Sequence, residues 1–196
     1  MSDWPVVVGI SGASGSLLAR ETVDELLRRN SSVILVCSND AKLVWQQEMD
    51  EPFSYTLSRW REDPHLAYYS IGDMSAPIAS GTYPTSGMVV VPCSVTSVAS
   101  MAHGIANNLL LRAADVSLKE RRRLVVVPRE TPLHTVHLEN LTKLSKMGVV
   151  VLPPEPAFYL NPKTIDDVVR FTVGRIIVAL GLEDALEERF RYQGGG

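Results

Sequence analysis

The sequence is poor in cysteine, in long apolar runs and in surplus positive charge. It has 196 residues and only two cysteines, without CxxC spacing, which indicates a reducing compartment and no disulfide scaffold. Its 19 basic and 22 acidic side chains give a formal net charge of -3, so no excess of cations is available for a nucleic-acid backbone. No apolar run approaches the roughly 18 residues that span a bilayer, and Asp3 stands where a secretory signal would carry basic residues. We therefore expect a cytoplasmic protein that binds neither nucleic acid nor membrane.

Several catalytic signatures are missing as well. The glycine-rich segment 9–16 is not followed by GK[ST], and no GxSxG elbow occurs. The pair Asp166 and Asp167 lacks the final acid of a DDxxD motif, which disfavours a diphosphate held by metal. His134 and His137 lie three residues apart without a third clustered ligand, so we expect no metal site.

Near-continuous apolar runs alternate with amphipathic segments, and this pattern predicts the fold. The runs cover residues 6–10, 34–37, 88–93, 124–128 and 149–152, and such runs are typical of strands buried on both faces. Helical periodicity covers residues 17–29, 40–49, 96–104, 109–120, 136–146 and 165–180. The alternation predicts an α/β fold of three layers, with a doubly wound, mainly parallel sheet and helices on both faces. We expect one domain over residues 1–192, followed by a frayed tail at 193–196.

Ligands of such sheets bind beyond the carboxyl ends of the strands, so the loops after each apolar run are the candidate site. The first loop contains Gly12, Ala13 and Ser14 and leads directly into a helix, whose first amides can bind a phosphate. A tight turn without a ligand is the alternative. After the second run Ser38 can contact a ligand or cap the next helix. No acid ends this strand to hold a nicotinamide ribose, which makes NAD less favoured.

A second hydroxyl-rich helix start, Ser94 to Ser97, follows the run at 88–93. Two such starts at one sheet edge suit a monophosphate or the edge of an isoalloxazine ring. Arg129 and Glu130 follow the next buried run, at the same edge, where an arginine can hold phosphate while the acid exchanges a proton.

Further cations and an aromatic pair complete the set of candidates. Arg112 and Lys119 are seven residues apart with Asp115 between them, so they share one helical face, which is either part of a site or a solvated salt-bridged surface. The prolines of residues 153–156 stiffen a loop that holds Tyr159 as part of an apolar wall. Arg175 interrupts an apolar series and turns either to the crevice or to solvent.

Taken together, five segments resemble the UbiX-type flavin prenyltransferases in register across nearly the whole chain. These are GISGASGS, SGTYPTSGMVVVPCS, RAADVSLKERR, VPRETPLHTVHLENL and PPEPAFY. The resemblance implies a flavodoxin-like or Rossmann-like fold, assembled from trimers into a homododecamer with sites shared between subunits. It also implies an enzyme that joins the dimethylallyl group of dimethylallyl monophosphate to reduced FMN, without metal. The product, prenylated FMN, would pass to a UbiD-type decarboxylase.

The resemblance also assigns roles to single residues. FMN would be held by Gly12, Ala13, Ser14, Ser38, Ser94, Val95, Thr96, Ser97 and Arg129. The donor phosphate would be bound by Lys119, Tyr159 and Arg175, with Arg112 in support. Ser11, Glu130 and Glu48 would handle protons or developing charge near the flavin.

The chain departs from its relatives in two places. Tyr192 stands where many relatives carry a tryptophan near the prenyl pocket, and Val95-Thr96 stands where some have a lysine or an asparagine. Two other functions remain open at this stage. One is an FMN-dependent decarboxylase of the cysteine type, which would need a histidine near the first helix, whereas the first one is His65. The other is a non-catalytic FMN-binding subunit, which has no use for a second phosphate pocket.

Overall fold

Six parallel strands form one sheet in the computed structural model, which describes residues 4–182 and 187–191. The strands are β1 (Val6–Ile10), β2 (Val33–Cys37), β3 (Leu66–Ser70), β4 (Gly87–Cys93), β5 (Leu124–Pro128) and β6 (Val150–Val151). Their order in the sheet is β3-β2-β1-β4-β5-β6, and every neighbouring pair is parallel. The predicted doubly wound α/β architecture is confirmed, and its sheet is parallel throughout the described residues.

The helices connect the strands and cover both faces of the sheet. They are α1 (Ser16–Arg28), α2 (Asn39–Glu48), α3 (Phe53–Trp60), α4 (Val95–Ala102), α5 (Leu109–Lys119), α6 (Thr135–Lys146) and α7 (Ile165–Ala179). Short 3-10 turns occur at Pro77–Ala79, Phe158–Leu160 and Glu188–Phe190. Tyr192 and the tail 193–196 lie outside the described residues, so the single-domain boundary at residue 192 stays a prediction. Within the described residues no helix is long and apolar enough to cross a membrane.

The sheet separates two apolar cores because successive side chains of a strand point to opposite faces. Val6, Val8 and Ile10 of β1 pack in one core with α1, α2, α3 and α7. Val7 packs in the other core with α4, α5 and α6. Both faces of the central strands are therefore shielded from water, which explains why their sequences are continuous apolar runs.

Two elements escaped the sequence prediction, namely β3 and α3. All but the last residue of β3 are half-buried, and that last residue is exposed, because the strand lies at the edge of the sheet. Its sequence, LAYYS, carries alanine and tyrosine where the central strands are rich in valine. Helix α3 has only eight residues, with Phe53, Thr56 and Trp60 buried at helical spacing. Its rings pack on the buried Trp45 of α2, at centroid distances of 5.3 Å from Phe53 and 6.0 Å from Trp60. This aromatic contact fixes α2 against α3.

The connections diverge beside β1, which pairs with β2 on one side and with β4 on the other. Chain order reverses at this point, so the loops after β1 and β4 separate and leave a crevice at the carboxyl edge of the sheet. A ligand site is expected at that crevice.

Candidate active site

A cavity of about 410 Å³ opens at the carboxyl edge of the sheet, beyond β1, β4 and β5. It is lined by Gly12, Ala13 and Ser14 after β1, by Val44, Gln47 and Glu48 of α2, by Ser94, Val95 and Thr96 at the start of α4, and by Arg129 and Glu130 after β5. Nine of the predicted flavin-site and proton-handling residues therefore meet in one place, between the loop that precedes α1 and the first turn of α4.

Ser11 joins the loop after β1 to the end of β4. Its buried hydroxyl donates to the carbonyl oxygen of Pro92 at 3.1 Å and accepts from the backbone N–H of Ser94 at 2.8 Å. Ser11 does not line the cavity, and its proton points to a backbone carbonyl. In this arrangement the hydroxyl fixes the relative position of the two loops.

Gly12 allows the first loop to approach α2 closely. A Cβ atom built at Gly12 would lie 2.5 Å from the Cβ atom of Asp40, which is closer than two non-bonded carbon atoms can approach. The loop backbone therefore lies directly against the start of α2. Ser38, the alternative cap or ligand contact, is the N-cap of α2 and accepts from the N–H of Ala41 at 3.1 Å.

Glu48, at the end of α2, binds the N-terminus of α1. Its carboxylate accepts from the N–H of Gly15 at 3.0 Å and from the N–H of Ser16 at 2.8 Å. Partial burial, the largest single influence, raises the pKa of Glu48, but hydrogen bonds from Ser14, Ser16 and Gly15 together lower it below 4.5. The first amides of α1, which the sequence suggests for a phosphate, thus contact a carboxylate of the same chain.

The N-terminus of α4 is arranged differently. Ser94 is the N-cap, and its hydroxyl oxygen accepts from the N–H of Ser97 at 3.1 Å. Its own hydroxyl donates to the hydroxyl of Ser97 at 3.0 Å, so Ser97 supports the cap while Val95 and Thr96 line the cavity. The first-turn amides of a helix carry partial positive charge and bind anions.

Arg129 lies beside this helix start and carries an unmet donor. Its Nε atom is buried without a hydrogen-bond partner among the described residues. A buried cationic donor without an acceptor is costly, and a ligand oxygen would satisfy it. The neighbouring Glu130 is exposed, and one of its carboxylate oxygens accepts from the N–H of Thr131 at 3.0 Å.

The two cysteines are not nucleophiles in this site. Both thiols are buried, and burial raises the pKa of Cys37 and of Cys93 to about 12. A thiol with such a pKa holds almost no thiolate near neutral pH. Among the described residues no cluster of three or more metal-ligating side chains occurs either.

Four predicted donor-phosphate residues do not line the cavity within one chain. Lys119 ends α5 just before the amino end of β5 and pairs with Glu120. Arg112 donates from Nε to the carbonyl oxygen of Ala79 at 3.0 Å and pairs with Asp115 at 2.8 Å, so in the single chain it belongs to a salt-bridged surface. Tyr159 is 69% exposed and Arg175 is exposed.

The model of the family described as Flavoprotein matches residues 1–177 of the chain. A flavin prenyltransferase UbiX from Alkalihalophilus pseudofirmus is 46% identical over 193 residues, which cover 94% of this chain and 95% of that protein. The chain belongs to the UbiX family of flavin prenyltransferases.

Solved structures agree with this membership of the UbiX family. AnUbiX (PadA1), solved in complex with FMN and dimethylallyl pyrophosphate, superposes with a TM-score of 0.89 at 36% identity and covers 98% of both chains. A dodecameric FMN-dependent UbiX-like decarboxylase from Escherichia coli O157:H7 gives a TM-score of 0.86 at 40% identity, covering 97% of this chain and 99% of that one.

Two cavity residues of this UbiX family member were not predicted from the sequence, namely Val44 and Gln47. Both belong to α2, at four residues and one residue before Glu48. Val44, Gln47 and Glu48 stand at positions i, i+3 and i+4 of α2, which share one face of a helix. Once Glu48 was a candidate, this spacing could have identified the other two residues.

Proposed function

We propose that this protein transfers the dimethylallyl group of dimethylallyl monophosphate to reduced FMN and so makes prenylated FMN. The observation that carries the proposal is the cavity at the carboxyl edge of the sheet, where the half-buried Arg129, whose buried Nε atom has no partner, lies beside the start of α4 and a close-packed glycine loop. AnUbiX (PadA1) was solved with FMN and dimethylallyl pyrophosphate, which supports both ligand classes.

The residues of the cavity fit FMN. Arg129 and the amides of Val95 and Thr96 would hold the flavin phosphate, because an arginine fork and a helix N-terminus both select phosphate oxygens. The backbone of Gly12 to Ser14 would lie along the ring system, since a loop without bulky side chains allows close approach. The reduced flavin supplies the nucleophilic ring atoms to which the prenyl group is joined.

We further propose that a neighbouring chain supplies the donor-phosphate residues. Lys119 lies near the amino ends of the strands, whereas the cavity lies at their carboxyl ends. The seven residues of β4 separate the two edges by about 20 Å at ~3.3 Å per residue. The dodecameric relative from E. coli supports an assembly in which another copy brings Lys119 to the cavity.

In such a shared site each side chain has a distinct task. Lys119, Arg112 and Arg175 would stabilise the charge that develops on the departing phosphate, which removes the need for a metal ion. The rings of Phe158 and Tyr159, 80% and 69% exposed in the single chain, would cover the allylic carbons and exclude water. Glu130 would take up a proton released at the acceptor.

The deciding assay supplies reduced FMN and dimethylallyl monophosphate without divalent metal. Mass spectrometry of the released flavin should detect a mass increase of one prenyl unit. The variant Glu130→Gln should retain flavin and lose turnover. Dimethylallyl pyrophosphate in a parallel reaction tests the choice of donor. If saturated wild-type protein returns only unmodified FMN with both donors, the transferase proposal fails.

Subunit complementation tests whether the site is shared between chains. Arg129→Ala damages the cavity half of a site, and Lys119→Ala damages the donor half, so each variant alone should lose most of its activity when FMN and the prenyl donor are kept below their wild-type KM values. Mixed assemblies of the two variants should regain activity, because some sites then combine two intact halves. No recovery in assemblies proven to be mixed by native mass spectrometry would place both residues in the same chain's site.

A UbiD-type decarboxylase as recipient of the product, a cytoplasmic location and the absence of nucleic-acid or membrane binding remain parts of this proposal. The net charge of -3 supports the last point. Transfer of the product can be tested by adding the reaction mixture to a flavin-free UbiD-type decarboxylase and following carbon dioxide release. Activation that needs both the protein and the prenyl donor would support the partner.

A further inference from the structure

Two arginines fix the loop that precedes β4 against the end of α5. Arg112 donates from Nε to the carbonyl oxygen of Ala79 at 3.0 Å. Arg122 donates to the carbonyl oxygens of Gly81 at 2.6 Å and of Tyr83 at 2.8 Å. Hydrogen bonds from a guanidinium group are charge-assisted and impose a defined geometry. The loop backbone at Gly81 is therefore held in place relative to α5.

The ion pair of Lys119 and Glu120 lies directly on this loop. The ammonium group of Lys119 donates to the carboxylate of Glu120. A Cβ atom built at Gly81 would collide with the Nζ atom of Lys119 and with the Oε1 atom of Glu120, so the absence of a side chain there leaves room for the pair. The hydrogen bond and the charge of Lys119 lower the pKa of Glu120, and the carboxylate is therefore ionised near neutral pH.

We infer that Glu120 is a positioning residue that holds the ammonium group of Lys119 over Gly81, where it can bind the phosphate of the prenyl donor. The inference rests on the proposed function, in which Lys119 binds that phosphate. An ammonium group has three N–H donors. One of them binds Glu120, so two remain for phosphate oxygens. Both side chains are exposed in the single chain, which leaves those donors accessible.

Holding Lys119 in place favours donor binding, although the charge of Glu120 opposes it. A flexible lysine side chain loses rotamer freedom when it binds a ligand, and this cost falls when the side chain is already ordered. The carboxylate repels the phosphate, but the pair is exposed, and water and salt screen such repulsion strongly. We therefore expect the positioning effect to exceed the repulsion.

The test measures binding of dimethylallyl monophosphate to the assembled protein by isothermal titration calorimetry. The protein is loaded with oxidised FMN, because the proposed acceptor is the reduced form and the flavin site is then filled without turnover. Glu120→Gln should weaken donor binding about three- to tenfold, the effect of ordering one long side chain. Glu120→Asp keeps the charge and should recover part of this loss. Glu62→Gln removes the same charge from an exposed residue after α3 and should bind the donor as the wild type does.

A double-mutant cycle separates positioning from a merely structural role. In Lys119→Ala protein no ammonium group is left to position, so adding Glu120→Gln should cause no further loss of donor affinity. Gly81→Ala displaces the pair by another route and should weaken donor binding as well. In the reaction with reduced FMN, the KM for the donor should rise in Glu120→Gln while the KM for FMN stays at the wild-type value.

Unchanged or tighter donor binding in Glu120→Gln would overturn the inference, as would wild-type donor affinity in Gly81→Ala. A further loss in the double variant, or a parallel loss of FMN affinity, would overturn it too, since Glu120 would then act without Lys119. Wild-type protein that binds the donor but makes no prenylated FMN would contradict the proposed function alone, because donor affinities still decide the role of Glu120. A wild type that binds no donor would contradict both.

Discussion

The helix starts of α1 and α4 lie at the same edge of the sheet, follow buried strands and are preceded by small or hydroxyl residues. Their electrostatic states nevertheless differ. At α1 the carboxylate of Glu48 binds the amides of Gly15 and Ser16. At α4 the hydroxyl of Ser94 caps the helix, and the half-buried Arg129 adds a cation whose buried Nε atom has no partner.

The difference teaches that a helix N-terminus is a binding site only if the rest of the fold leaves it open. Both starts offer amides with partial positive charge. A distant part of the chain, the end of α2, neutralises one of them, and the end of β5 makes the other more positive. The two helix starts thus differ in the charge beside them, which is a carboxylate at α1 and a guanidinium at α4.

The largest expected effect comes from removing the cation at the α4 end. Arg129→Ala should weaken FMN binding on the order of 100-fold, the value of a charge-assisted phosphate contact. Titration of flavin fluorescence measures it, with Lys146→Ala as a control that removes an exposed charge of the same sign. Equal flavin affinity in Arg129→Ala and wild type would mean that the phosphate binds elsewhere.

A somewhat smaller effect is expected on binding of the prenyl donor, whose phosphate is bound by other residues than the phosphate of FMN. Lys119→Ala should weaken binding of the prenyl donor by about 2 kcal/mol, roughly 30-fold, since one charge-assisted contact is lost. FMN affinity should be unchanged, because Lys119 is not part of the α4 end. A KM for the donor equal to that of the wild type, or a parallel loss of FMN affinity, would contradict this assignment.

Crowding the loop that precedes α1 should have a moderate effect. Gly12→Ala places a Cβ atom 2.5 Å from the Asp40 side chain, so the loop must shift away from α2. We expect flavin affinity to fall about tenfold, within the usual ~1–3 kcal/mol of overpacking. Gly72→Ala is the matched control, because no atom lies within 4 Å of a Cβ atom built there. Equal behaviour of the two variants would show that the loop tolerates the shift.

The smallest effect concerns the pH dependence of stability at the α1 end. The folded pKa of Glu48 is lowered, so its stabilising contribution is complete above the unfolded pKa of about 4.5 and is lost as the pH falls through the folded value. The difference in free energy of unfolding between wild type and Glu48→Gln should be below about 1 kcal/mol near neutral pH, because the side chain is exposed. Denaturant unfolding from pH 7 to pH 3.5 should show this difference shrinking, and a constant difference would contradict the cap.

The sequence predicted the strands β1, β2, β4, β5 and β6 and most helices because two-sided burial leaves continuous apolar runs between amphipathic segments. It did not predict β3, whose edge position gives half-buried residues, nor the eight-residue α3. The loops of the cavity were predicted for the same physical reason, since parallel strands end at one edge. The roles assigned to Tyr159 and Arg175 remain predictions, as neither lines the cavity within one chain.

The sequence by itself determined the parallel α/β fold and the loops that form the cavity, because burial and strand direction are written in local patterns. The flavin-binding family was indicated by the resemblance of its motifs to those of that family. Only the tertiary structure decided which helix start is open to an anion. That choice depends on Glu48 reaching Gly15 across 33 positions of the chain and on the buried Nε atom of Arg129, which has no partner. Local patterns do not encode such contacts, since they arise when distant segments pack at one edge of the sheet.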